Sequence, residues 1–214
     1  MIKTIEELVQ KAKEIETKTL VVACAADEHV LQAVEMARVE NIINGILVGD
    51  KEEIIKILNS IEADHHNYEI IDEPDLNEAC LISVKLVSSN DGYFLMKGLV
   101  DTSVILKAAL NKEFGLRTAN RISHVSVMEV ATHKKLLLMT DGAMNIAPTL
   151  DEKRQIIENS VVIAKAIGIE TPNVGIIGAV EKVNPAMEAT LDAAELIKMN
   201  QTGIINGCIV GGPF

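Results

Sequence analysis

The chain has no tryptophan, and only 2% of its 214 residues are aromatic. Hydrophobic residues nevertheless make up 48% of the sequence, so the core must be built mainly from Ile, Val, Leu, Ala and Met. This composition suits stacked layers of helix and strand with small residues at the close contacts. The length allows one large α/β domain or two modest lobes.

Long apolar runs and cysteine motifs are also missing. No run approaches the roughly 20 residues of a membrane span, and residues 1–17 are charged and amphipathic, unlike a signal peptide. The three cysteines, Cys24, Cys80 and Cys208, are far apart and form no CxxC or zinc-type spacing. We therefore expect reduced core thiols, no metal site and a cytoplasmic protein.

Basic residues are in the minority, with 20 Lys and Arg against 31 Asp and Glu and a formal net charge of −11. Such a field repels nucleic acid and anionic membranes, so we expect neither as a partner. A phosphorylated small ligand is compatible with this charge if a local cluster of Arg, Lys and backbone N–H groups holds it.

The order of the predicted elements is βαβαβα over the first 90 residues. Strands are predicted at 19–25, a near-continuous apolar run, and at 45–49 and 67–72. Each precedes a helix, and Asp27, Asp50 and Asp75 stand where these helices begin. This alternation predicts a parallel sheet with right-handed crossovers.

The second part of the chain has a different pattern. We predict a strand at 93–98 and a helix at 101–113, an antiparallel hairpin from 121–130 and 134–140, and a capping box of Thr149 with Glu152. Further elements are a strand at 173–180, a helix at 187–200 and a last strand within 203–214. Residues 115–121 are the best lobe boundary, which gives an N-terminal lobe of 1–120 and a second lobe of 121–214.

Several predicted strand ends carry polar residues, and each has an ordinary structural explanation beside the functional one. Lys97, followed by Thr102 at a helix start, could bind phosphate, or the two could be a solvated lysine and a routine cap. Arg121 could bind phosphate through two parallel hydrogen bonds, and His124 could act as a hydrogen-bond donor, an acceptor or a base near neutral pH. Along a strand, however, Arg121 and Ser123 share one face and His124 points the other way, so they reach one ligand only if a bend or bulge intervenes. The ordinary explanation is a surface arginine beside a half-buried histidine.

Two further strand ends leave the same choice open. In the stretch LLLMTDGAMNIAPTL (136–150), Asp141 and Asn145 could line a ligand site, or Asp-Gly could simply form a turn. Glu181 follows the predicted apolar strand NVGIIGAV (173–180). It could be a charged residue of a ligand site, or it could belong to an ordinary loop that leads into the next helix. No GxGxxG follows a strand, and neither GxxxxGK[ST] nor GxSxG occurs, which argues against dinucleotide-binding folds, P-loop NTPases and α/β-hydrolases.

Taken in order, these segments resemble the phosphate acetyl/butyryltransferase family, most closely its butyryltransferase branch. The stretches that carry the resemblance are VVACAADEHVLQAVEMA, GILVGD, FLMKGLVDTSVILKAAL, RISHVSVMEV, the run from Leu136 to Leu196, and GCIVGGPF. They span nearly all of the chain.

The resemblance implies a two-lobed α/β protein with mainly parallel sheets flanked by helices and a cleft between the lobes, related in architecture to isocitrate and isopropylmalate dehydrogenases. It implies exchange of a short, butyryl-type acyl group between coenzyme A and inorganic phosphate. Coenzyme A is then a substrate, no metal or redox cofactor takes part, and the protein is a cytoplasmic homodimer or larger homo-oligomer.

The family resemblance and the chemistry of acyl transfer together suggest roles for the candidate residues. Lys97, Thr102 and Arg121 are expected to bind the anionic substrates, and Asn145 to donate a hydrogen bond. The remaining candidates, His124, Asp141 and Glu181, are expected to serve as base or orienting groups.

One departure from the family limits this expectation. Family chains continue past the Gly-Pro near Phe214, and that later segment carries the Ser-Arg and Asp positions most often assigned to catalysis. We therefore expect the last elements of the second lobe to be missing and this 214-residue chain to be weakly active or inactive. Two alternatives remain: a non-catalytic coenzyme A-binding fragment, or a relative of the decarboxylating hydroxy-acid dehydrogenases.

Overall fold

The computed structural model describes residues 2–214. Contacts between Cα atoms divide the chain into two compact units, one of residues 10–118 and one that combines residues 1–9 with 119–214. Each unit is described by itself below. The predicted division into lobes at residues 120 and 121 stays a prediction.

A four-stranded sheet forms the centre of the unit 10–118, in the order β3-β2-β1-β4. Every pairing in it is parallel, as predicted: Val21 in the middle of β1 lies opposite Ile46 on one side and Leu95 on the other. The strands are β1 (Lys18–Ala23), β2 (Ile43–Gly49), β3 (Glu69–Asp72) and β4 (Phe94–Lys97).

Helices cover both faces of this sheet because its inner strands are apolar on both sides. Val21 and Val22, adjacent in β1, point to opposite faces, and both are fully buried in separate apolar clusters. The helices of this unit are α2 (Glu28–Val39), α3 (Lys51–Ser60), a 3-10 helix (His65–Asn67), α4 (Leu76–Ser88) and α5 (Thr102–Ala109). The first helix of the chain, α1 (Ile5–Lys13), has residues in both units.

The predicted helix starts are confirmed at three aspartates. The carboxylates of Asp27, Asp50 and Asp75 each accept a backbone N–H from the first turn of the helix that follows, which satisfies donors that the helix itself leaves free. The helix ends were less well predicted, since α5 stops at Ala109 rather than at 113.

The second unit, residues 1–9 and 119–214, contains two separate two-stranded sheets. The predicted hairpin is confirmed, with β5 (Ser126–Met128) antiparallel to β6 (Leu137–Met139), while β7 (Asn173–Gly175) runs parallel to β8 (Ile209–Gly211). The helices of this unit are α6 (Leu150–Ala166) and α7 (Glu188–Gln201). The capping box of Thr149 and Glu152 is present at the start of α6.

Two strands of this unit are much shorter than predicted. Residues 121–125 are irregular, because the side chains of Gln155 and Asn159, and not a neighbouring strand, bind the backbone N–H and C=O of Arg121. The strand predicted at 121–130 therefore begins only at Ser126, and the chain before it does not run along a strand. The strand predicted at 173–180 ends at Gly175, so Glu181 does not follow it directly.

Among residues 2–214, no helix is long and apolar enough to cross a membrane. All three cysteines are buried and free of disulfides, as predicted.

Candidate active site

Asp141 is the centre of a hydrogen-bond network that begins where β6 ends. One carboxylate oxygen accepts the backbone N–H groups of Ala143 and Met144, both at 2.9 Å. The other accepts the backbone N–H of His124 at 3.1 Å and the side-chain amide of Asn145 at 2.6 Å. The Asp-Gly turn expected from the sequence is therefore present, and the same carboxylate also ties the segment before β5 to the segment after β6.

These contacts set the charge of Asp141. Partial burial raises the pKa of its carboxyl, but the hydrogen bonds from Met144, Ala143, Asn145 and His124 outweigh burial and hold that pKa well below its ordinary value. The carboxylate therefore stays ionised at neutral pH and is a poor proton acceptor. Of the two roles considered for Asp141, the geometry favours an orienting group over a base.

Asn145 links Asp141 to Arg121. Its amide nitrogen donates to Asp141 and to the carbonyl of Ile122 at 3.0 Å, and its oxygen accepts from Nε of Arg121. Both amide hydrogens are thus already engaged, so Asn145 can donate to a substrate only by giving up one of these bonds. Its present role is to fix the Arg121 side chain.

Arg121 is half-exposed and already has an acidic partner. Its Nη1 donates to Glu152 in the first turn of α6, whose carboxylate also accepts the Thr149 N–H at 2.8 Å. Among the described residues, none pairs with Nη2 of Arg121. An anionic substrate could therefore contact this guanidinium from its free edge, in competition with Glu152.

Three residues of α6 that the sequence interpretation did not assign to the site hold this arrangement together. Glu152, Gln155 and Asn159 lie three and four positions apart, so they form a stripe on one face of the helix. Gln155 accepts the Arg121 N–H at 2.7 Å, and Asn159 donates to the Arg121 carbonyl and to the hydroxyl of Ser123, both at 2.8 Å. The polar i, i+3, i+7 spacing was the sequence signal that could have identified them.

His124 lies beside this network with an exposed imidazole. Its backbone N–H is bound by Asp141 and its carbonyl accepts the Thr140 hydroxyl at 2.8 Å, while no described residue hydrogen-bonds the ring. The backbone of His124 is therefore fixed, and its ring nitrogens are available to a ligand.

Glu181 is not part of this network. It is exposed and lines a separate small depression with Val180, Lys182 and Asn184, in the irregular segment between β7 and α7. The structure thus brings together Arg121, His124, Asp141 and Asn145, and leaves Glu181 apart from them.

A larger pocket of about 860 Å³ opens beside Asp141 and Asn145. It lies between β6 and β7, with Ile156, Ser160 and Ala164 of α6 in its lining. Its volume falls within the range typical of small-molecule sites, roughly 300–1,000 Å³.

Lys97 and Thr102 belong to the unit 10–118. The Lys97 ammonium donates to the carbonyls of Val100 at 2.8 Å and Gly98 at 3.3 Å, so it folds over its own loop. Thr102 is the first residue of α5, and the N-cap residue Asp101 makes no side-chain hydrogen bond to the helix. The N–H groups at this helix start therefore lack a side-chain cap.

One cluster in this unit has the donor types of a metal site. Asp64, His65 and His66 place one ligand atom each within 4.8 Å of one another. The Asp64 carboxylate, however, is already hydrogen-bonded to the backbone N–H and to Nδ1 of His66, because Asp64 caps the 3-10 helix. The cluster precedes β3, at the amino end of the parallel sheet, whereas Lys97 lies at the carboxyl end. The expectation of no catalytic metal stays a prediction.

The fold and the network define a class: an α/β protein with a mainly parallel sheet flanked by helices and a candidate polar site where strands end. Comparison with known proteins identifies the family. The family described as "Phosphate acetyl/butaryl transferase" matches residues 73–214. The chain belongs to this family, as the sequence resemblance predicted.

Individual relatives agree with this assignment. The chain is 48% identical over all 214 residues to a phosphate butyryltransferase of Clostridium acetobutylicum, of which it covers 71%. It is 43% identical over 210 residues, 98% of its own length, to a phosphate acetyltransferase of Thermotoga maritima, again covering 71% of that protein.

Among solved structures, the chain is similar to a branched-chain phosphotransacylase from Enterococcus faecalis V583. The two share a TM-score of 0.80 and 26% identity over 92% of this chain and 68% of that one.

Proposed function

We propose that this protein exchanges a short acyl group between coenzyme A and inorganic phosphate, with a butyryl-type group as its substrate. The observation that carries the proposal is the 48% identity to a phosphate butyryltransferase over the full length of the chain. The butyryl preference is the finer part of the proposal, because a phosphate acetyltransferase is nearly as similar at 43% identity.

The reaction places definite demands on the site. A phosphate oxygen attacks the thioester carbonyl carbon, the carbonyl oxygen gains charge, and the C–S bond breaks to give acyl phosphate and coenzyme A thiolate, which then takes up a proton. In the reverse direction the thiol, with a free pKa of about 8.5, must lose that proton. Donors for the oxyanion, a cation for phosphate and a proton acceptor for the thiol are therefore needed.

The network around Asp141 can meet part of these demands. The free edge of the Arg121 guanidinium is suited to a phosphate or to a phosphate of coenzyme A. The imidazole of His124, whose ring no described residue hydrogen-bonds, is suited to accept a proton from the thiol. Asp141 and Asn145 position these two groups, because they fix the backbone of His124 and the side chain of Arg121.

Lys97 and Thr102 are proposed to bind substrate phosphates in the unit 10–118. An uncapped helix start presents N–H groups and the positive end of the helix dipole, which favours an anion. The Lys97 ammonium has one hydrogen beyond the two it donates to loop carbonyls. Glu181 stays a predicted base or orienting residue without supporting geometry.

Further parts of the proposal rest on the family resemblance. They are an isocitrate/isopropylmalate dehydrogenase-like arrangement of two lobes, a cytoplasmic location, a homodimeric or larger assembly, and a reaction without metal or redox cofactor. The comparisons do not favour the two alternatives, a non-catalytic coenzyme A-binding fragment and a hydroxy-acid dehydrogenase relative.

The test is release of coenzyme A thiol from butyryl-CoA and from acetyl-CoA in phosphate buffer. The assay is run on this chain and on a chimera that adds the part of the Clostridium acetobutylicum relative that this chain does not cover. We expect turnover by the chimera with a higher kcat/KM for butyryl-CoA. No phosphate-dependent thiol release from either substrate, by chain or chimera, would contradict the proposal.

Substitution of Arg121 connects the activity to the site in this chain. Arg121→Ala in the chimera should lower kcat/KM by about 100-fold, a magnitude typical of losing a group that stabilises charge. Arg154→Ala is the matched control, since Arg154 also lies beside α6 acids, Asp151 and Glu158, but outside the network. Equal effects of the two substitutions would remove Arg121 from the proposed site.

A further inference from the structure

The cluster of Asp64, His65 and His66 has no part in the proposed reaction. The three residues are consecutive in the chain and lie at the 3-10 helix between α3 and β3. Each places one ligand atom within 4.8 Å of the others. Two imidazoles and a carboxylate are the donor types that zinc and similar divalent transition metals bind in proteins.

The local backbone explains how three consecutive side chains come together. On an extended strand, neighbouring side chains point to opposite faces and could not share one ligand. Here Asp64 caps a 3-10 helix that starts at His65, and the Tyr68 N–H closes this turn on the His65 carbonyl at 3.2 Å. The rings of His65 and His66 lie side by side with centroids 4.1 Å apart. Because the flanking Ala63 and Tyr68 are buried, the core anchors both ends of the turn.

Each of the three residues retains a free donor atom. Oδ1 of Asp64 accepts the backbone N–H of His66 at 3.0 Å and lies 2.8 Å from Nδ1 of the same residue. Within residues 2–214, no group hydrogen-bonds Oδ2 of Asp64, Nε2 of His66 or the ring nitrogens of His65. Asp64 can therefore bind an ion through Oδ2 and still cap the helix. Its contact with Nδ1 orients the His66 ring, as carboxylates do for metal-bound histidines.

Only small side-chain movements are needed to bind an ion. Zinc binds imidazole nitrogen and carboxylate oxygen at about 2.0–2.2 Å, which puts neighbouring ligand atoms roughly 3.3 Å apart in a tetrahedral site. The ligand atoms of the cluster already lie within 4.8 Å of one another. The side chains of Asp64 and His66 are 62% and 78% exposed, so they can rotate to close the difference. Water can reach the remaining coordination positions for the same reason.

The charges around the cluster favour a cation. The chain has a formal net charge of −11. Among the described residues, no lysine or arginine forms an ion pair with Asp64, whose one charged-group contact is with His66. An incoming metal ion therefore meets a carboxylate that no lysine or arginine has to leave.

We propose that Asp64, His65 and His66 form a binding site for one divalent transition-metal ion such as Zn²⁺. The site lies at the amino end of the parallel sheet, whereas Lys97 lies at its carboxyl end. The bound ion joins the 3-10 helix more firmly to its cap residue and stabilises the entry into β3. It takes no part in acyl transfer, so the site and the proposed function stand or fall separately.

The first experiment is calorimetric titration of the metal-stripped chain with ZnCl₂. We expect one ion per chain and a Kd on the order of 10 µM, because three accessible ligands bind more weakly than a closed four-ligand site. MgCl₂ should give no binding, since Mg²⁺ prefers oxygen ligands in octahedral geometry. Zinc binding weaker than about 1 mM, or equal binding of magnesium, would overturn the proposal.

Substitutions locate the ion. His65→Ala and His66→Ala should each weaken zinc binding at least about tenfold, the lower range for loss of a group that holds a metal. His29→Ala is the matched control, an exposed histidine of the same unit at the start of α2, and should leave the Kd unchanged. Unchanged affinity in both cluster variants, or an equal loss in the control, would place the ion elsewhere and refute the site.

Asp64→Asn separates the cap from the ligand. Its amide oxygen can still accept the His66 N–H, so the circular dichroism of the metal-free variant should match that of the unmodified chain. Loss of the negative charge should nevertheless weaken zinc binding at least about tenfold. An unaltered Kd would exclude Asp64 as a ligand and contradict the three-residue site.

Nuclear magnetic resonance of the unmodified chain gives a readout that needs no substitution. One equivalent of zinc should shift the ring signals of His65 and His66 and leave those of His29, His124 and His133 in place. Shifts at His124 instead would assign the ion to the candidate active site and overturn the proposal.

Discussion

The strand end at Lys97 and the strand end at Asp141 carry similar residue types but are built differently. β4 ends against the buried strand β1, and Gly98 donates its N–H to the Ala23 carbonyl at 2.8 Å, so close packing of backbone fixes that loop. β6 is a half-exposed strand, and the side chain of Asp141 fixes the loop after it. Backbone packing therefore shapes one candidate site, and side-chain hydrogen bonds shape the other.

The sheets around the two strand ends also differ. The unit 10–118 contains a four-stranded sheet covered on both faces, whereas the strands of the other unit form pairs with open edges. In the second unit a side-chain network therefore holds a loop that no covered sheet surrounds.

The largest effect is expected at Asp141. Asp141→Ala leaves three backbone N–H groups and the Asn145 amide without their acceptor, and should lower the free energy of unfolding by about 3 kcal/mol. Urea denaturation measures the loss, and hydrogen exchange should accelerate at His124, Ala143 and Met144. The exposed Glu181→Ala serves as control and should change stability by less than about 0.5 kcal/mol. Similar losses for both would mean that the network contributes little.

At the other strand end, a single methyl group should be nearly as damaging. A Cβ at Gly98 would stand 2.2 Å from the Cys24 carbonyl oxygen and 2.8 Å from that of Ala23, both backbone atoms. Gly98→Ala should therefore destabilise by about 2 kcal/mol in urea denaturation.

Gly142 provides the matched comparison. The only nearby atom that a Cβ there would meet is the flexible end of Met139 at 3.5 Å, so Gly142→Ala should change stability by less than about 0.5 kcal/mol. If Gly142→Ala were the more harmful of the two, the contrast between the two strand ends would be wrong.

The charge of Asp141 predicts a pH dependence. Because its pKa is lower in the folded protein than the unfolded value of about 3.9, its contribution is fully present above that value and is lost as the pH falls below it. The stability difference between the unmodified chain and Asp141→Asn should therefore be at least about 1 kcal/mol larger at pH 7 than at pH 3. Urea denaturation at both pH values checks this, and a pH-independent difference would argue against a strongly lowered pKa.

The smallest effect is expected at Lys97. Lys97→Met removes the hydrogen bonds from the ammonium to the carbonyls of Gly98 and Val100. Because Lys97 is exposed, water can donate to these carbonyls in its place. The free energy of unfolding should fall by about 0.5 kcal/mol or less. A loss above about 2 kcal/mol would show that a side chain, and not backbone packing, holds this loop.

Most of the parallel sheet and its helix starts could be predicted from the sequence. Apolar runs such as TLVVACA indicate strands covered on both faces, and an aspartate before a helical pattern indicates a cap, because both signals are local. The family could be predicted too, since the run from Leu136 to Leu196 is long and specific. The ends of the short strands could not. Arg121 is bound by side chains of α6 rather than by a strand, and β7 ends at Gly175 although the residues after it are apolar.

The candidate site was only partly predictable, because its contacts join residues that are far apart in the sequence. Arg121, His124, Asp141 and Asn145 were named from their types and places, and the structure brings them into one network. Their mutual roles depend on α6, whose Glu152, Gln155 and Asn159 bind a segment about 30 to 40 positions earlier in the chain. No pattern of neighbouring residues predicts which loop the polar face of a helix will contact.

By itself, the sequence determined the α/β class, the parallel order of the first strands and the family, because periodicity, caps and long matching runs are properties of neighbouring residues. Tertiary structure alone decided that Asp141 is held ionised by four donors, that Glu181 lies apart, and that β6 and β7 line one pocket. Those outcomes depend on contacts between residues far apart in the chain, where burial and hydrogen-bond partners are set by packing.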